Sequence, residues 1–218
     1  DWSSDVCFRS VTGSGATEFL NGLLTNNIAK IQLNQAQYNV MCYEHGGCVD
    51  DLIVHKFSDT EYFICVNASN TDKDFEWIKS HAPKNVEVRN ESPEWSQIAV
   101  QGRHATAIVS KLCDISLDSI KYYWFQRGKI FGKNSIVART GYTGEDGFEI
   151  LLGKDFCLAA VQELLADENV KPIGLGARDS LRLEAGLCLY GHDLDNSISP
   201  IEADLKWTIQ KCRRERAD

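Results

Sequence analysis

The stretch from Tyr38 to Val66, YNVMCYEHGGCVDDLIVHKFSDTEYFICV, reads as three strands and two turns. Tyr38 to Tyr43 alternates, Gly46-Gly47 reverses the chain, and Leu52 to Phe57 and Tyr62 to Val66 follow as strands joined by the polar turn Ser58-Asp59-Thr60-Glu61. Strands joined this tightly form an antiparallel meander. Upstream, Ala16, Phe19, Leu20, Leu23, Leu24 and Ile28 mark one face of a helix that starts after Gly13-Ser14-Gly15. No Lys-Ser/Thr pair follows those glycines, so they start a helix and do not cradle a phosphate. Downstream, Thr71 caps a helix with Asp72 and Asp74 in its first turn, Phe75 and Ile78 facing inward and Pro83 beyond its end.

Pro83 to Trp95 is polar and breaks the pattern. The pattern resumes with strands at Gln97–Gln101, Tyr122–Phe131, Ser135–Arg139 and Phe148–Leu152 and helices at His104–Cys113, from a cap at Asp155 to about Asp167, and at Ala177–Leu189. Strands thus come in groups between single helices, which makes the fold class α+β and not a doubly wound sheet.

Composition narrows the function. With 218 residues, 43% hydrophobic, 25% charged and four prolines, the chain buries a real core. A net charge of −8 argues against nucleic acid or anionic lipid as partner, because phosphate neutralisation needs clustered Lys and Arg. The one basic run, Lys211 to Arg216, reads as a solvated helix end or strand exit, or else as a docking surface for an acidic partner. The eight cysteines include no C-x-x-C pair and mostly sit in apolar stretches, which predicts buried thiols, a reducing compartment and no metal site. No run approaches the ~18 apolar residues of a membrane span.

Three clusters carry unusual residue choices. In Gly46-Gly47-Cys48-Val49-Asp50-Asp51, period-two alternation sends the adjacent aspartates to opposite faces of the following strand. They read either as turn caps or, for Asp51, as a carboxylate costly to bury unless hydrogen-bonded or used chemically. Arg139 to Glu149, RTGYTGEDGFE, packs three glycines and four charged residues between two apolar strands, as a solvated loop or as a ligand-approaching one with Glu149 aimed at a pocket. Gly174 to Glu184 places Arg178 and Arg182 four apart on one helix face, with Arg178 at the unfavourable end of the dipole. An anionic ligand would offset that, and so would Asp179 or Glu184.

Those clusters, with Leu189-Tyr190-Gly191-His192-Asp193-Leu194-Asp195, stand in the order and at the spacing of one family, and from about Val11 the chain resembles the T-protein (aminomethyltransferase) family of the glycine cleavage system. Asp1 to Ser10 departs from the family's opening pattern. The resemblance implies two of three cloverleaf subdomains around a central folate channel, with a C-terminal barrel absent. It implies a first folate-binding subdomain over 1–82, incomplete at its N-terminus, and a second α+β subdomain over 83–170. A helix and strand over 171–218 would return to the channel.

It also implies transfer of the methylene carbon from the aminomethyl-lipoyl arm of H-protein to tetrahydrofolate with release of ammonia, in a bacterial cytoplasm or mitochondrial matrix. Asp51 matches the central acidic residue, Glu149 the residue facing the pterin amino and ring N–H edge, and Arg178 a folate-contacting arginine. Asn67, Tyr38, Tyr123 and Tyr142 match secondary pocket positions. Tetrahydrofolate is then a co-substrate, with no metal. Two readings keep the fold and change the role: a folate-dependent demethylase or dehydrogenase-associated folate domain, and a non-enzymatic iron–sulfur maintenance factor. The latter's Lys-Gly-Cys-Tyr signature is replaced here by Lys211-Cys212-Arg213-Arg214.

Overall fold

The computed structural model describes residues 6–214; Asp1 to Asp5 and the last two residues of the basic run, Glu215 and Arg216, lie outside the described residues. The chain divides into two compact units: 6–92 with 188–214, and 93–187.

The first unit is built on a five-stranded antiparallel sheet in the order β2-β3-β4-β1-β5. Strands β2 (Ala36–Cys42), β3 (Cys48–Ser58) and β4 (Glu61–Asn67) are the expected meander. β1 (Val6–Thr12) and β5 (Glu87–Asn90) complete it. Neither has a clear period-two signature, and β5 falls in the polar stretch where sequence placed the second subdomain. The reason is Arg9, fully buried on β1. Its Nη1 donates to Asn90 Oδ1 (2.8 Å) and Ser92 Oγ (2.8 Å), and its Nη2 to Thr71 O (2.5 Å). A buried guanidinium held this way ties a polar segment to the sheet without apolar alternation.

One sheet face packs under α1 (Ala16–Leu23) and α2 (Thr71–His81), where Val11, Leu20, Leu52, Val54, Ile64 and Ile78 are essentially inaccessible. Burying each such side chain contributes ~1.5–3 kcal/mol. α1 is shorter than the apolar pattern suggested: it ends at Leu23, and Ile28 reaches the same core from a separate 3₁₀ turn. Thr71 is the first residue of α2 and not its cap; its hydroxyl donates to Ala68 O at 2.6 Å. The inward positions of α2 are Asp74 and Ile78, with Phe75 only half-buried.

The second unit carries a four-stranded antiparallel sheet, β6-β9-β8-β7. Its strands are β6 (Trp95–Gln101), β7 (Phe125–Ile130), β8 (Lys133–Ala138) and β9 (Gly147–Gly153). α3 (Ala105–Val109) and α4 (Lys154–Leu165) cover it through Ile108, Val109, Ala160 and Leu164. Gly153, not Asp155, is the N-cap of α4, and Asp155 lies in its first turn. α5 (Leu175–Glu184) stops short of Leu189 because Gly186 takes φ = 70° and the chain closes with Leu187 N–H on Arg182 O (2.9 Å). Within 188–214 the described residues form turns, a 3₁₀ turn at Lys206–Thr208 and a short α6 (Lys211–Arg214), with no strand. Both units are α+β.

Candidate functional site

In the first unit, three of the expected residues meet. Asp50 and Asp51 are the third and fourth residues of β3, and strand alternation sends them to opposite faces, Asp50 fully buried and Asp51 half-buried. Tyr38 on β2 donates its hydroxyl to Asp51 Oδ2 at 3.0 Å. Asn67 at the end of β4 donates its side-chain amide to Asp51 Oδ1 (2.9 Å), to Asp51 O (3.2 Å) and to Asp50 Oδ1 (2.8 Å). Burial, then the neighbouring Asp50 charge, push the Asp51 carboxyl up to about 6, while the Tyr38 and Asn67 bonds oppose the rise.

The turn before β3 is fixed from the C-terminal segment. Cys48 N–H donates to Asp195 O (2.9 Å), and a Cβ on Gly47 would collide with Asn196 O, so only glycine fits there. Lys73 on α2 donates to Val49 O (2.5 Å) and to the Tyr190 hydroxyl (2.9 Å), with its ammonium 4.2 Å from the Tyr190 ring centroid. Tyr190, Asp195 and Asn196 therefore clamp the Asp51 turn, the Tyr190 hydroxyl also donating to Cys48 O at 3.2 Å.

In the second unit, Glu149 lies on β9, half-buried. Gln97 on β6 donates to its Oε1 at 2.6 Å and Thr140 to its Oε2 at 2.5 Å. Burial raises its pKa, and the Thr140 bond, the Arg178 charge and the Gln97 bond lower it. Arg178 stacks its guanidinium 4.6 Å from the Tyr142 ring centroid. Tyr123, at φ = 61°, anchors its N–H on Arg139 O (3.0 Å) and packs edge-on against Tyr122. Glu149, Arg178 and Tyr142 thus form one group.

The rest of RTGYTGEDGFE is scaffold. Arg139 grips Asp146 with two bonds, Nε to Oδ1 at 2.8 Å and Nη2 to Oδ2 at 2.6 Å, and also reaches Ile120 O. A Cβ on Gly141 would overlap the Gln101 side-chain amide, whose nitrogen bonds Thr140 O at 3.0 Å. The like-charge pair on α5 is resolved internally: Arg182 is buried and bonds Asp179 Oδ1 at 2.8 Å, which leaves Arg178 turned toward Glu149 and Tyr142.

Sequence reading missed Gln97 and Thr140, ordinary polar residues whose role exists only through strand pairing. It missed Tyr122, an exposed ring whose hydroxyl titrates high through burial and the Glu149 charge. It also missed Trp207, which stacks on Tyr38 at 5.6 Å between centroids and borders a cleft of about 530 Å³ walled by Lys30, Lys211 and Arg214. Lys211 and Arg214 of the basic run line that cleft, while Arg213 donates to Leu24 O and Asn21 O. Among the described residues no group of three or more His, Cys, Asp or Glu could hold a metal ion, and no helix is long and apolar enough to cross a membrane.

The family model described as the GCVT N-terminal domain matches residues 6–213. The chain belongs to this family. A sequence named aminomethyltransferase from Listeria monocytogenes serotype 4b is 50% identical over 201 residues, covering 92% of this chain and 55% of that one. Another of that name from Chloroherpeton thalassium is 47% identical over 201 residues, covering 90% and 56%. The chain spans about half the length of the curated relatives it matches. Among solved structures, the glycine cleavage system aminomethyltransferase T from Bartonella henselae superposes with a TM-score of 0.90 at 33% identity, over 99% of this chain and 58% of that chain. The T-protein fold is therefore present. A heterotetrameric sarcosine oxidase from Corynebacterium sp. U-96 matches over 82% of each chain with TM-score 0.57 and 12% identity, a likeness of fold alone.

Proposed function

We propose that this GCVT-family chain serves as aminomethyltransferase of the glycine cleavage system, moving the methylene carbon from aminomethyl-lipoyl H-protein to tetrahydrofolate with release of ammonia. The observation that carries the reading is Asp51. It is a half-buried carboxylate fixed at both oxygens, beside a second carboxylate and titrating near 6. A preorganised anion of this kind stabilises positive charge that develops at the transferred carbon as the lipoyl thiolate leaves, and it orients the accepting folate nitrogen. It is available above about pH 6, so the chemistry runs at neutral pH.

Glu149 is the proposed pterin anchor. Each of its oxygens accepts one bond from the protein and keeps a lone pair for a ligand donor, which suits the paired amino and ring N–H of a pterin. Tyr142, Tyr123 and Tyr38 offer flat apolar faces for the pterin and benzoyl rings. Arg178 is the proposed folate-contacting cation, and Asn67 holds Asp51 in place. Lipoylated H-protein is the proposed donor, in a bacterial cytoplasm or mitochondrial matrix.

The test is ammonia release from aminomethylated H-protein with tetrahydrofolate, using the chain extended to the length of its relatives. Ammonia formed in step with 5,10-methylenetetrahydrofolate supports the assignment. Folate binding without turnover would contradict it and favour the non-enzymatic relative.

A further inference from the structure

A third acidic residue lies beneath Asp51. Asp50, fully buried, accepts from Asn67 N–H (3.2 Å), Asn67 Nδ2 (2.8 Å) and Asn70 Nδ2 (2.9 Å). Asp74, in the first turn of α2, is equally buried, and neither of its oxygens has a hydrogen-bond donor among the described residues. What it meets is the Asp50 carboxyl. Two carboxyls in contact within a buried site share one proton, because two adjacent anions cannot both be supported there. Three N–H donors converge on Asp50 and none on Asp74, so the proton resides on Asp74.

The surrounding charges agree. Burial, then Asp50, push the Asp74 carboxyl up to about 10. Lys73 on α2 and Arg9 on β1 pull the other way, yet neither donates to Asp74, whose oxygens have no donor among the described residues; the Arg9 Nε is itself without a hydrogen-bond partner among them. Lys73 bonds Val49 O and Tyr190, and Arg9 bonds Phe8 O, Thr71 O, Asn90 and Ser92. The Tyr190 hydroxyl, which faces Asp50 and Asp74 together with Tyr43 and Cys48, is itself raised by burial and by Asp50 and so stays neutral; Cys7 and Asp72 lie on the Arg9 side.

We propose that Asp74, in its carboxylic-acid form, is a positioning residue for Asp51: its O–H donates to Asp50, and Asp50 in turn holds the Asn67 amide that donates to Asp51. The chain of contacts is Asp74, Asp50, Asn67, Asp51, and it spans α2, β3 and β4. One face of the Asn67 amide is pinned by Asp50, so its second N–H meets Asp51 without searching. Remove the proton on Asp74 and Asp50 loses a donor, the Asn67 amide loosens, and Asp51 loses a bond that favours its charged form. The functional meaning rests on reading Asp51 as the catalytic carboxylate, but the relay belongs to the unliganded protein.

The test is a pH titration of aspartate side-chain carboxyl carbons by NMR, on the intact labelled chain without folate, for wild type, Asp74→Asn and Asp74→Leu. In wild type the Asp74 carbon should stay at its protonated position throughout the neutral range. Asp74→Asn supplies an N–H donor to Asp50 without a proton, so the Asp51 midpoint should stay at the wild-type value. Asp74→Leu supplies none, so that midpoint should rise by about half a pH unit, the size of one weakened hydrogen bond to the anion. An Asp74 carbon titrating in the ordinary carboxylate range overturns the proposal, and so does an Asp51 midpoint unmoved in Asp74→Leu. Should Asp74→Leu fail to fold, the wild-type Asp74 signal alone decides. These titrations need no turnover, so failure of the transferase assignment leaves their outcome separate.

Discussion

Asp51 and Glu149 are both half-buried carboxylates on strands, and each oxygen of each accepts a side-chain bond. What surrounds them is opposite in sign. Asp51 stands beside Asp50, whose charge adds to the effect of burial. Glu149 faces Arg178, whose charge subtracts from it. The same cost of burial is thus reinforced at one site and relieved at the other. A carboxylate next to like charge is raised in energy and strongly attracts a cation, which suits a group that meets positive charge during reaction. A carboxylate with a partner cation is a steady acceptor, which suits a group that holds a ligand.

The largest effect that would break this contrast is on turnover. Asp51→Asn keeps the shape and removes the charge, and it should lower the rate of ammonia release by ~10²–10³, the typical loss when one preorganised electrostatic contact is removed. A loss under about tenfold would make Asp51 a structural residue.

A second prediction concerns pH. The Asp51 carboxyl titrates near 6, so the rate should fall as pH drops through that value, in proportion to the carboxylate fraction. Stability moves the other way. The folded state raises this pKa above its unfolded value of ~3.9, so the folded chain holds a proton that the unfolded chain gives up. Its contribution to stability is complete below the unfolded value and is lost as pH rises through about 6. Asp51→Asn should therefore raise the melting temperature at neutral pH and leave it nearly unchanged in acid. Calorimetry at the two pH values checks this, and a variant destabilised at neutral pH would contradict it.

A smaller effect is expected at Arg178. Arg178→Met removes the charge that relieves Glu149, so tetrahydrofolate affinity should fall several-fold and more steeply toward acid, where Glu149 then protonates more readily. An affinity loss with no pH dependence would separate Arg178 from Glu149.

The two sites also differ in how far the sequence exposes them. The meander around Asp51 was legible because Leu52, Val54, Ile64 and Val66 alternate into one core and Gly46-Gly47 marks its turn. Asp51 stood out because one of two adjacent aspartates entering a strand must face the side of Ile53 and Phe57, but the residues alone left turn capping open, and only the family resemblance singled it out. Its tuning was not legible, since it depends on Asn67 and Tyr38 from neighbouring strands and on Asp74 from a helix turn that reads as an ordinary acidic first turn. Around Glu149 the motif was legible but its division of labour was not. Only the pairing of β6 with β9 brings Gln97 to Glu149, and only the folded loop shows Arg139 and Asp146 spent on each other. β1 and β5 escaped notice because a buried arginine, not apolar alternation, joins them.

The contrast between a reacting carboxylate and a holding one is tested most directly by titrating tetrahydrofolate into wild type, Asp51→Asn and Glu149→Gln at neutral pH. Glu149→Gln should weaken binding by ~10–100-fold, the value of one hydrogen-bonded charge, while Asp51→Asn should stay within about threefold of wild type. Equal losses in the two variants, or the larger loss in Asp51→Asn, would contradict the account.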